Sequence, residues 1–502
     1  MNATAFFWLV ALPLGASPLV YVIGRLGANQ DPEERAPAAV RWLTLLVLLA
    51  TWFPFSLAAR EVALKGRVTF SIETIGLQLD GVSIVLAATV LALGTAVALH
   101  SVAYMADEVG EEKYYAMLLA MIGVMIGLGC ANDLFNLWVW FEAMAVSSYL
   151  LVAFYREQPA SLEAGMKYLV QSALGSVLVL MGIALVLAET GTLALDKIRP
   201  AAHASPALLA AGALFVIGFG VKIAMVPMHT WLPDAHSQAP SGISAMLSGV
   251  VIEAGLVALL RALIPLMGVT PSWGMLLMGF GALNMLYGNL LALKQTQVKR
   301  LLAFSSLSHV GYMLLGVGIS IHVGQSAGAQ GAFFHLFNHG LMKGLAFLAA
   351  GALLYALHLS VGSHAPLTIQ DLNGAAKRYP MAALALSVAV LALGGLPPLA
   401  GFMSKWQIFV AGFATHSALI ASLVIFAALN SVLSLAYYAP LVSAVYRKQP
   451  SAAVARGAAL PRSMVLPLTV LTVLIVVIGL WPSLLNWLTA PAGAALLAAF
   501  RG

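Results

Sequence analysis

The chain has 502 residues, of which 61% are hydrophobic and only 9% are charged, and its mean hydropathy is +0.94. An ordinary soluble domain carries about 25% charged residues. This composition therefore excludes a soluble globular enzyme, and it also excludes a disordered chain, which needs low hydrophobicity. The net charge of +6 comes from scattered loop lysines and arginines, so nothing indicates nucleic acid as a partner.

Fourteen apolar segments follow one another along the chain, each about as long as a helix that crosses the hydrocarbon core. Their approximate bounds are 4–23, 39–59, 80–104, 114–131, 134–154, 162–189, 205–227, 241–265, 273–293, 301–320, 329–357, 380–412 (interrupted), 417–445 and 463–482. The apolar runs are continuous, whereas the strands of a membrane β-barrel would alternate apolar and polar residues. We therefore predict an all-α polytopic membrane protein with about fourteen transmembrane helices.

The connections between these segments are short, and no long polar linker marks a soluble module. The stretch that starts at Val68 alternates apolar and polar residues, which weakly predicts a β-hairpin. We divide the chain into residues 1–79 (helices 1–2 and an external hairpin), 80–265 (helices 3–8, with a first repeat), 273–445 (helices 9–13, a second repeat) and 446–502 (helix 14 and tail). The apolar tail after Trp481 is expected at the membrane interface.

The distribution of basic residues predicts the orientation of the chain in the membrane. With an external N-terminus, 15 lysines and arginines fall in internal loops and seven on the external side. Internal loops carry the excess of positive charge. We therefore expect a multi-pass protein of the cell (inner) membrane with both termini outside, on the periplasmic side.

Five charged side chains lie within apolar spans, where a charge at the bilayer centre costs about 2.5–3.5 kcal/mol on insertion scales. They are Glu142, Lys222, Glu253, Lys343 and Lys405. An ion pair buried in the membrane is a poor source of stability, so function explains this set better than structure does.

Three histidines accompany these charges. His309 lies in the tenth span, and His335, His339 and Lys343 are spaced i, i+4, i+8, which places them on one helix face. Histidine suits a proton relay because it titrates near neutral pH. Hydrogen bonding between helices is the simpler alternative for His335 and His339. Haem ligation is excluded because two histidines on one face of a helix cannot be opposite axial ligands.

Two spans contain prolines that interrupt the helix. Lys222 precedes Pro227, and Lys405 follows Pro397 and Pro398. Proline frees backbone carbonyls, and such breaks persist in a membrane only beside a polar cavity or buried in protein. Two lysine-bearing broken spans, five spans apart, predict two structural repeats over roughly spans 4–8 and 9–13. Inverted repeats with broken helices are typical of transporters.

The chain resembles the antiporter-like subunits shared by respiratory complex I, membrane-bound hydrogenases and Mrp-type cation/proton antiporters. The resemblance covers about residues 80–445 and is most specific between Lys222 and Val251. The segments that carry it are FNLWVWFEAMAVSSYLL, VKIAMVPMHTWLPDAHSQAPSGISAMLSGVV, QTQVKRLLAFSSLSHVGYMLLG, FFHLFNHGLMKGLAFLAAGAL and GLPPLAGFMSKW. It implies fourteen helices in which the two five-helix repeats are inverted and helices 7 and 12 are broken.

The resemblance also implies roles for the buried charges. Glu142 is similar to the helix-five glutamate of the family and Lys222 to its helix-seven partner, which together would form a switchable ion pair. Lys405 is similar to the helix-twelve residue at the exit half-channel, although a lysine that reaches the interface is an alternative.

His309 and the face formed by His335, His339 and Lys343 are similar to the central polar axis of the family. One position departs from the pattern, because Glu253 stands where many members have a lysine. This puts a lysine-to-lysine relay in doubt at that step. Glu253 either relays a proton itself, pairs with a lysine such as Lys343, or marks a member whose pumping is altered.

The function predicted is proton translocation as the antiporter-like subunit of a redox-driven complex, either complex I-like or hydrogenase-like. The D-type subunit of a multi-subunit Mrp Na+/H+ antiporter is the first alternative, and a subunit of an inorganic-carbon-uptake complex the second. The sequence holds no nucleotide loop, flavin motif or cysteine cluster. We therefore expect no cofactor and no metal in this chain, whereas partner membrane subunits would bring iron–sulfur, flavin or nickel–iron groups. The transported ion is expected to be H+, with Na+ as the alternative.

Several further residues have simpler interpretations. Asp133 is expected to cap the fifth span. His229, Asp234 and His236 follow the first break; metal binding is one interpretation of this group, but a polar cap or a funnel for proton uptake is favoured over it. Cys130 is expected to be a small buried side chain, because one cysteine cannot form a disulfide framework or a metal cluster.

Overall fold

The protein is described by a computed structural model, which covers residues 3–27, 36–72, 75–106, 108–363 and 365–501. Nearly all of it is helical. The first helices, which include the first six spans, are α1 (Ala3–Gly27), α2 (Ala39–Lys65), α3 (Gly81–Tyr104), α4 (Glu111–Gly129), α5 (Leu134–Val152), α6 (Pro159–Thr190) and the short α7 (Leu195–Ala201).

The helices at the centre of the molecule follow. They are α8 (Pro206–Ile223), α9 (Trp231–Gln238), α10 (Ser241–Met246), α11 (Ile252–Leu263), α12 (Trp273–Ala292), α13 (Val298–Val323) and α14 (Ser326–Leu357). A π-helical turn, Leu247–Val251, joins α10 to α11. This span and α13 are the most completely buried of the molecule, because other helices surround them on every side.

The last helices are α15 (Pro380–Gly394), α16 (Ala400–Phe413), α17 (Ala418–Val445), the short α18 (Ala452–Arg456), α19 (Arg462–Leu480) and α20 (Asn486–Arg501). Within the described ranges, 13 helices are long and apolar enough to cross a membrane. The pair α15 and α16, broken by prolines, adds the fourteenth span. The predicted all-α architecture with fourteen spans is confirmed.

The hairpin predicted from Val68 is also present. Strand β1 (Val68–Ile72) pairs antiparallel with β2 (Ile75–Leu79), so that Val68 lies opposite Leu79. Residues 73 and 74, at its turn, lie outside the described residues. The backbone N–H of Gln78 donates to the Cys130 carbonyl at 2.7 Å, which fixes the hairpin to the end of α4.

The first broken span is formed by α8 and α9. Helix α8 ends at Ile223, Ala224 has a left-handed φ of 58°, and Pro227 lies in the connection. The amide of Asn284, on α12, supplies partners for the freed backbone: its Oδ1 accepts from the Val226 N–H at 2.8 Å, and its Nδ2 donates to the Ala224 carbonyl at 3.3 Å. A neighbouring helix thus replaces the hydrogen bonds that the break removes.

The second broken span is formed by α15 and α16. Helix α15 ends at Gly394, Gly395 has φ of 80°, and Pro397 and Pro398 lie between the helices. The carbonyl of Gly394 accepts from the Ser431 hydroxyl of α17 at 3.0 Å. Both breaks are therefore stabilised by side chains from other spans. The broken helices 7 and 12 are confirmed.

The two broken spans are five positions apart in the order of spans, so each repeat consists of five spans, and this odd number decides the topology. The first repeat consists of α4, α5, α6, the pair α8/α9 and the span α10–α11, and the second of α12, α13, α14, the pair α15/α16 and α17. Because each repeat crosses the membrane an odd number of times, the second begins on the opposite side from the first, so the repeats are inverted.

Candidate functional site

Lys222 is fully buried near the C-terminal end of α8. Its Nζ donates to the Tyr168 hydroxyl at 2.9 Å and, at 3.4 Å, to the Ser172 hydroxyl, both on α6. The same ammonium group lies 4.6 Å from the centre of the Tyr168 ring and 5.7 Å from that of Phe141. Lys222 is therefore surrounded by hydroxyl groups and aromatic faces.

The predicted ion pair of Glu142 with Lys222 is not formed in this structure. Among the described residues, no carboxylate lies within 4.0 Å of Lys222 Nζ, and Glu142 Oε1 is buried without a hydrogen-bond partner. Glu142 occupies the same helical stripe of α5 as Val139 and Val146, which are 44% and 40% exposed. Glu142 faces Lys222 from α5, but its carboxylate lies beyond ion-pair distance of the ammonium group.

Helix α11 separates Lys222 from Glu253. A Cβ added at Gly255 would meet Lys222 Cγ at 3.1 Å, so the lysine packs directly on this face of α11. Glu253, two residues earlier, points about 200° away around the helix. Lys222 and Glu253 therefore belong to two distinct polar groups on opposite sides of one helix.

Glu253 is bonded to a histidine and not to a lysine. Its Oε1 lies 2.7 Å from Nδ1 of His339, while its Oε2 is buried and has no hydrogen-bond partner among the described residues. Close packing of α14 on α3 and on the π-helical turn before α11 places the two groups together: a Cβ at Gly340 would collide with Thr89 Cγ2 and would meet the Gly249 carbonyl at 2.9 Å and Glu253 Oε2 at 3.7 Å. The alternative pairing of Glu253 with Lys343 is wrong for this structure.

The three histidines lie together beyond Glu253. The His309 ring is 5.0 Å from that of His339 and 5.2 Å from that of His335, measured between centroids. His309 Nδ1 and His335 Nε2 are 3.0 Å apart, and His335 Nδ1 is 2.8 Å from the Ser404 hydroxyl. The predicted central axis is thus a row from Glu253 through the histidines to α16.

Lys405 lies at the end of this row, next to Ser404. Its Nζ donates to the Leu393 carbonyl and to the Ser431 hydroxyl, both at 2.8 Å, and lies 4.5 Å from the centre of the Tyr312 ring. It is 2% exposed, so it does not reach the interface. Lys222 precedes its break whereas Lys405 follows its break, so the correspondence between the two broken spans is approximate.

Lys343 shares the helix face of the histidines but points elsewhere. Its Nζ donates to the Leu302 carbonyl at 2.7 Å and to the Ser305 hydroxyl, both on α13. It is fully buried, one turn from His339. Lys343 thus extends the row of polar groups towards the side of the membrane on which α13 begins.

A cavity of about 110 Å3 lies on the side of the molecule at which α13 begins. Tyr104, Gln238, Gln297 and Lys299 are among its lining residues. Lys299 is only 7% exposed, and its Nζ donates to the Ala239 carbonyl at 2.5 Å. The sequence analysis did not identify this buried lysine as part of the site, because it stands beside Arg300 at a helix start, where basic residues usually only set topology.

His236 occupies the space between the cavity and Lys343. Its ring stacks on Phe347 of α14 at 4.9 Å, and neither of its nitrogens has a hydrogen-bond partner among the described residues. His229 and Asp234 are not brought to it: Asp234 binds Lys167 at 3.0 Å and Arg300 at 2.6 Å. Within the described ranges, no group of three or more potential ligands could hold a metal ion.

Several polar side chains of the site were missed by the sequence analysis. They are hydroxyl-bearing residues next to the buried ionisable groups: Tyr168, Ser172, Tyr312, Ser404 and Ser431. Serine and tyrosine are common in membrane helices and carry no charge penalty, so nothing marks them individually. A weak signal exists for one pair, because Tyr168 and Ser172 are four residues apart on one helix face.

The smaller predictions for this region can also be compared with the structure. Asp133 caps α5, since its carboxylate accepts from the N–H groups of Phe135 at 2.8 Å and Asn136 at 3.0 Å. Cys130 is buried and unpaired. Both expectations are confirmed.

Comparison with known proteins places this arrangement in a family. Residues 131–434 match the family described as "NADH:quinone oxidoreductase/Mrp antiporter, TM". The chain is 33% identical over 462 residues to F(420)H(2) dehydrogenase subunit N of Methanosarcina mazei, covering 89% of this chain and 91% of that protein.

Two solved structures have the same fold over almost the whole chain. A subunit of the archaeal membrane-bound sulfane sulfur reductase, a respiratory membrane complex, is 28% identical with a TM-score of 0.86, and 99% of each chain is covered. A subunit of the Mrp complex from a Dietzia species is 22% identical with a TM-score of 0.84, covering 98% of this chain and 99% of that one. At that identity the likeness to the Mrp subunit extends to the fold alone.

Proposed function

The chain belongs to the NADH:quinone oxidoreductase/Mrp antiporter membrane family, and we propose that it translocates protons as a subunit of a redox-driven membrane complex. The observation that carries this proposal is the buried row Glu253–His339–His309–His335–Ser404, which ends beside Lys405. Buried ionisable groups at this density are costly in a membrane. A path for protons accounts for them.

The cavity lined by Lys299 would admit protons from the inner side. From there His236 and Lys343 lead towards His339, which lies one helical turn from Lys343 on α14. Glu253 and the histidines can each bind and release a proton. Glu253 Oε1 lies 2.7 Å from His339 Nδ1 and His309 Nδ1 lies 3.0 Å from His335 Nε2, while the rings of His339 and His309, 5.0 Å apart between centroids, would be bridged by one water molecule. Lys405 would receive the proton and release it towards the outer side.

Lys222 and Glu142 would control this transfer from the other side of α11. A positive charge on Lys222 disfavours a second positive charge near it in a medium of low dielectric constant. Movement of Glu142 towards or away from Lys222 therefore changes the proton affinity of the central row. Because Glu142 lies on a half-exposed stripe of α5, a membrane subunit packed against this stripe could move it.

The redox chemistry would belong to partner subunits that hold iron–sulfur, flavin or nickel–iron groups. Support for a redox complex comes from the two relatives of higher identity, one a dehydrogenase subunit and the other part of a respiratory membrane complex. We also propose that both termini face the outer side, as the excess of basic residues in the internal loops indicates.

The first experiment identifies the partners and the ion together. The complex is purified in mild detergent, its subunits are identified by mass spectrometry, and it is reconstituted in vesicles with a fluorescent probe of internal pH. Redox subunits and electron-driven acidification of the vesicles are expected. A set of small membrane subunits without redox groups, with sodium-driven proton flux, would instead establish an Mrp-type antiporter and contradict the proposal.

A further inference from the structure

Tyr168 is fixed in place by an aromatic neighbour from the second half of the broken helix. Its ring is stacked on that of Trp231 at 3.9 Å with an interplanar angle of 4°. The Trp231 indole N–H donates in turn to the Val221 carbonyl at 2.7 Å, next to Lys222. The position of the Tyr168 hydroxyl that accepts from Lys222 is therefore fixed by contacts from three helices, α6, α8 and α9.

The lysine and the glutamate both have the features of groups that can exchange partners. Lys222 is bonded to Tyr168 and Ser172, whereas Glu142 Oε1 is buried and finds no hydrogen-bond partner in the part of the chain that the structure describes. Phe141, which precedes Glu142 on α5, already touches the Lys222 ammonium group through its ring. Helix α5 is thus in contact with Lys222, while its Glu142 carboxylate lies beyond ion-pair distance of the ammonium group.

We propose that Lys222 alternates between two partners, the Glu142 carboxylate and a cradle formed by Tyr168 and Ser172, and that Tyr168 is the positioning residue for the second state. This inference rests on the proposed proton translocation and adds a residue to it. The cradle holds the ammonium group when Glu142 is engaged elsewhere. It offers hydroxyl oxygens and ring faces in place of a full negative charge.

The cradle would keep Lys222 ready to give up its proton. An ammonium group without any partner in the membrane interior would be too costly to persist, and one beside a carboxylate would hold its proton firmly. Hydroxyl acceptors and cation–π contacts give an intermediate stabilisation. The structure thus holds the lysine in a state from which a small change in its surroundings releases the proton.

The same chemistry recurs at the second break. Lys405 binds the Ser431 hydroxyl and lies over the face of Tyr312, at 4.5 Å compared with 4.6 Å for Lys222 over Tyr168. Within the described residues neither lysine is paired with a carboxylate within 4.0 Å. The two cradles come from different helices, α6 in one case and α13 and α17 in the other, so this recurrence is independent support.

The test compares Tyr168→Phe with the unmodified complex in the vesicle assay, with proton translocation measured as a function of pH. The ring, its stacking on Trp231 and the cation–π contact remain in this variant, but the hydroxyl acceptor is lost. Lys222 then releases its proton more readily, so the alkaline limb of the profile is expected to move to lower pH by about one unit. The titratable groups that face Lys222 are Glu142 from α5 and Tyr168 from α6, whereas α11 presents Gly255 and α9 presents Trp231.

Tyr115→Phe is the matched control, because Tyr115 on α4 is also fully buried and its hydroxyl has no hydrogen-bond partner within the described ranges. Its profile is expected to equal that of the unmodified complex. Ser172→Ala should give a smaller shift than Tyr168→Phe, since its contact is 3.4 Å long, and Ser172→Thr should restore the normal profile by keeping a hydroxyl group.

Lys222→Met separates the two ways in which the idea could fail. If Lys222→Met abolishes translocation while Tyr168→Phe and Tyr115→Phe have the same profile, the cradle is overturned and the proposed function stands. If Lys222→Met also leaves translocation unchanged, the switching role of Lys222 is wrong and the cradle with it. If the unmodified complex moves no protons during electron transfer, the proposed function itself is wrong.

Discussion

Glu253 and His339 form a carboxylate–imidazole contact, 2.7 Å long, between the two inverted repeats of the protein. The glutamate belongs to α11, the last span of the first repeat, and the histidine to α14, the third span of the second. Both side chains are fully removed from solvent. A carboxylate at this place allows a neutral pair or a pair of opposite charges to exist, which a lysine in its place would not.

Glu253→Gln is expected to lower coupled proton translocation roughly tenfold or more, because the amide cannot bind and release the proton that the row passes on. The amide keeps the size of the side chain and a hydrogen bond to His339, so the subunit should still assemble. Translocation by the reconstituted complex is measured beside Glu163→Gln, a control on an exposed surface residue. Equal rates of proton translocation in Glu253→Gln and Glu163→Gln would show that Glu253 is not on the proton path.

Lys222→Met and Glu142→Gln are each expected to abolish coupled translocation while leaving the complex assembled. Lys222→Met removes the positive charge that controls the proton affinity of the central row. Glu142→Gln removes the carboxylate whose movement changes the effect of that charge. The ratio of protons moved to electrons transferred is the measurement. An unchanged ratio in both variants would contradict the switching role of this pair.

Lys405→Met is expected to stop release of protons on the outer side, since it removes the last ionisable group of the row. The Leu393 carbonyl and the Ser431 hydroxyl lose their donor, so a modest loss of stability of about 1–3 kcal/mol accompanies the change. Proton release is followed with an external pH indicator during a single turnover. Release at the normal rate in the variant would show that protons leave by another route.

Asn284→Ala is expected to destabilise the first broken span. It leaves the Val226 N–H and the Ala224 carbonyl buried without partners, at a cost of about 1–3 kcal/mol for each group. Thermal unfolding in detergent gives the measurement, with the exposed Asn486→Ala as control. A midpoint equal to that of the control would mean that other groups, or water, satisfy the break.

Asp80→Asn is expected to destabilise the end of the molecule at which α3 begins by about 3–5 kcal/mol, because Arg261 would remain buried without its counter-charge. The two Arg261–Asp80 contacts are 2.6 and 2.7 Å long. The test is the thermal midpoint of the variant relative to that of the unmodified protein.

The effect should also depend on pH in a defined direction. Burial by itself would raise the pKa of Asp80, but Arg261, together with Ser83, outweighs it and lowers the pKa from its ordinary value. A lowered pKa adds stability above about pH 4, the ordinary value for aspartate, and this stability is lost as the pH falls towards the pKa of the folded state. The difference between Asp80→Asn and the unmodified protein should therefore be constant above about pH 5 and narrow only in acid.

The number of spans, the two breaks and the charged members of the site other than Lys299 follow from the sequence alone. Apolar runs of helical length must cross the membrane because their backbone has no other way to form its hydrogen bonds there. Charges such as Lys222 and Glu253 stand out because each is costly in that setting. The spacing of His335 and His339 predicts their shared face, because residues four apart lie on the same face of an α-helix.

The partners of these charges were decided by tertiary structure. Lys222 binds Tyr168 instead of Glu142, and Glu253 binds His339 instead of Lys343, because the rotation of each helix about its axis fixes which side chains meet. That rotation depends on close contacts between helices, such as that of Gly340 with Thr89 and Gly249, which involve residues far apart in the chain. Neutral residues such as Tyr168 and Ser431 became part of the site only through this packing, since nothing in their local sequence distinguishes them.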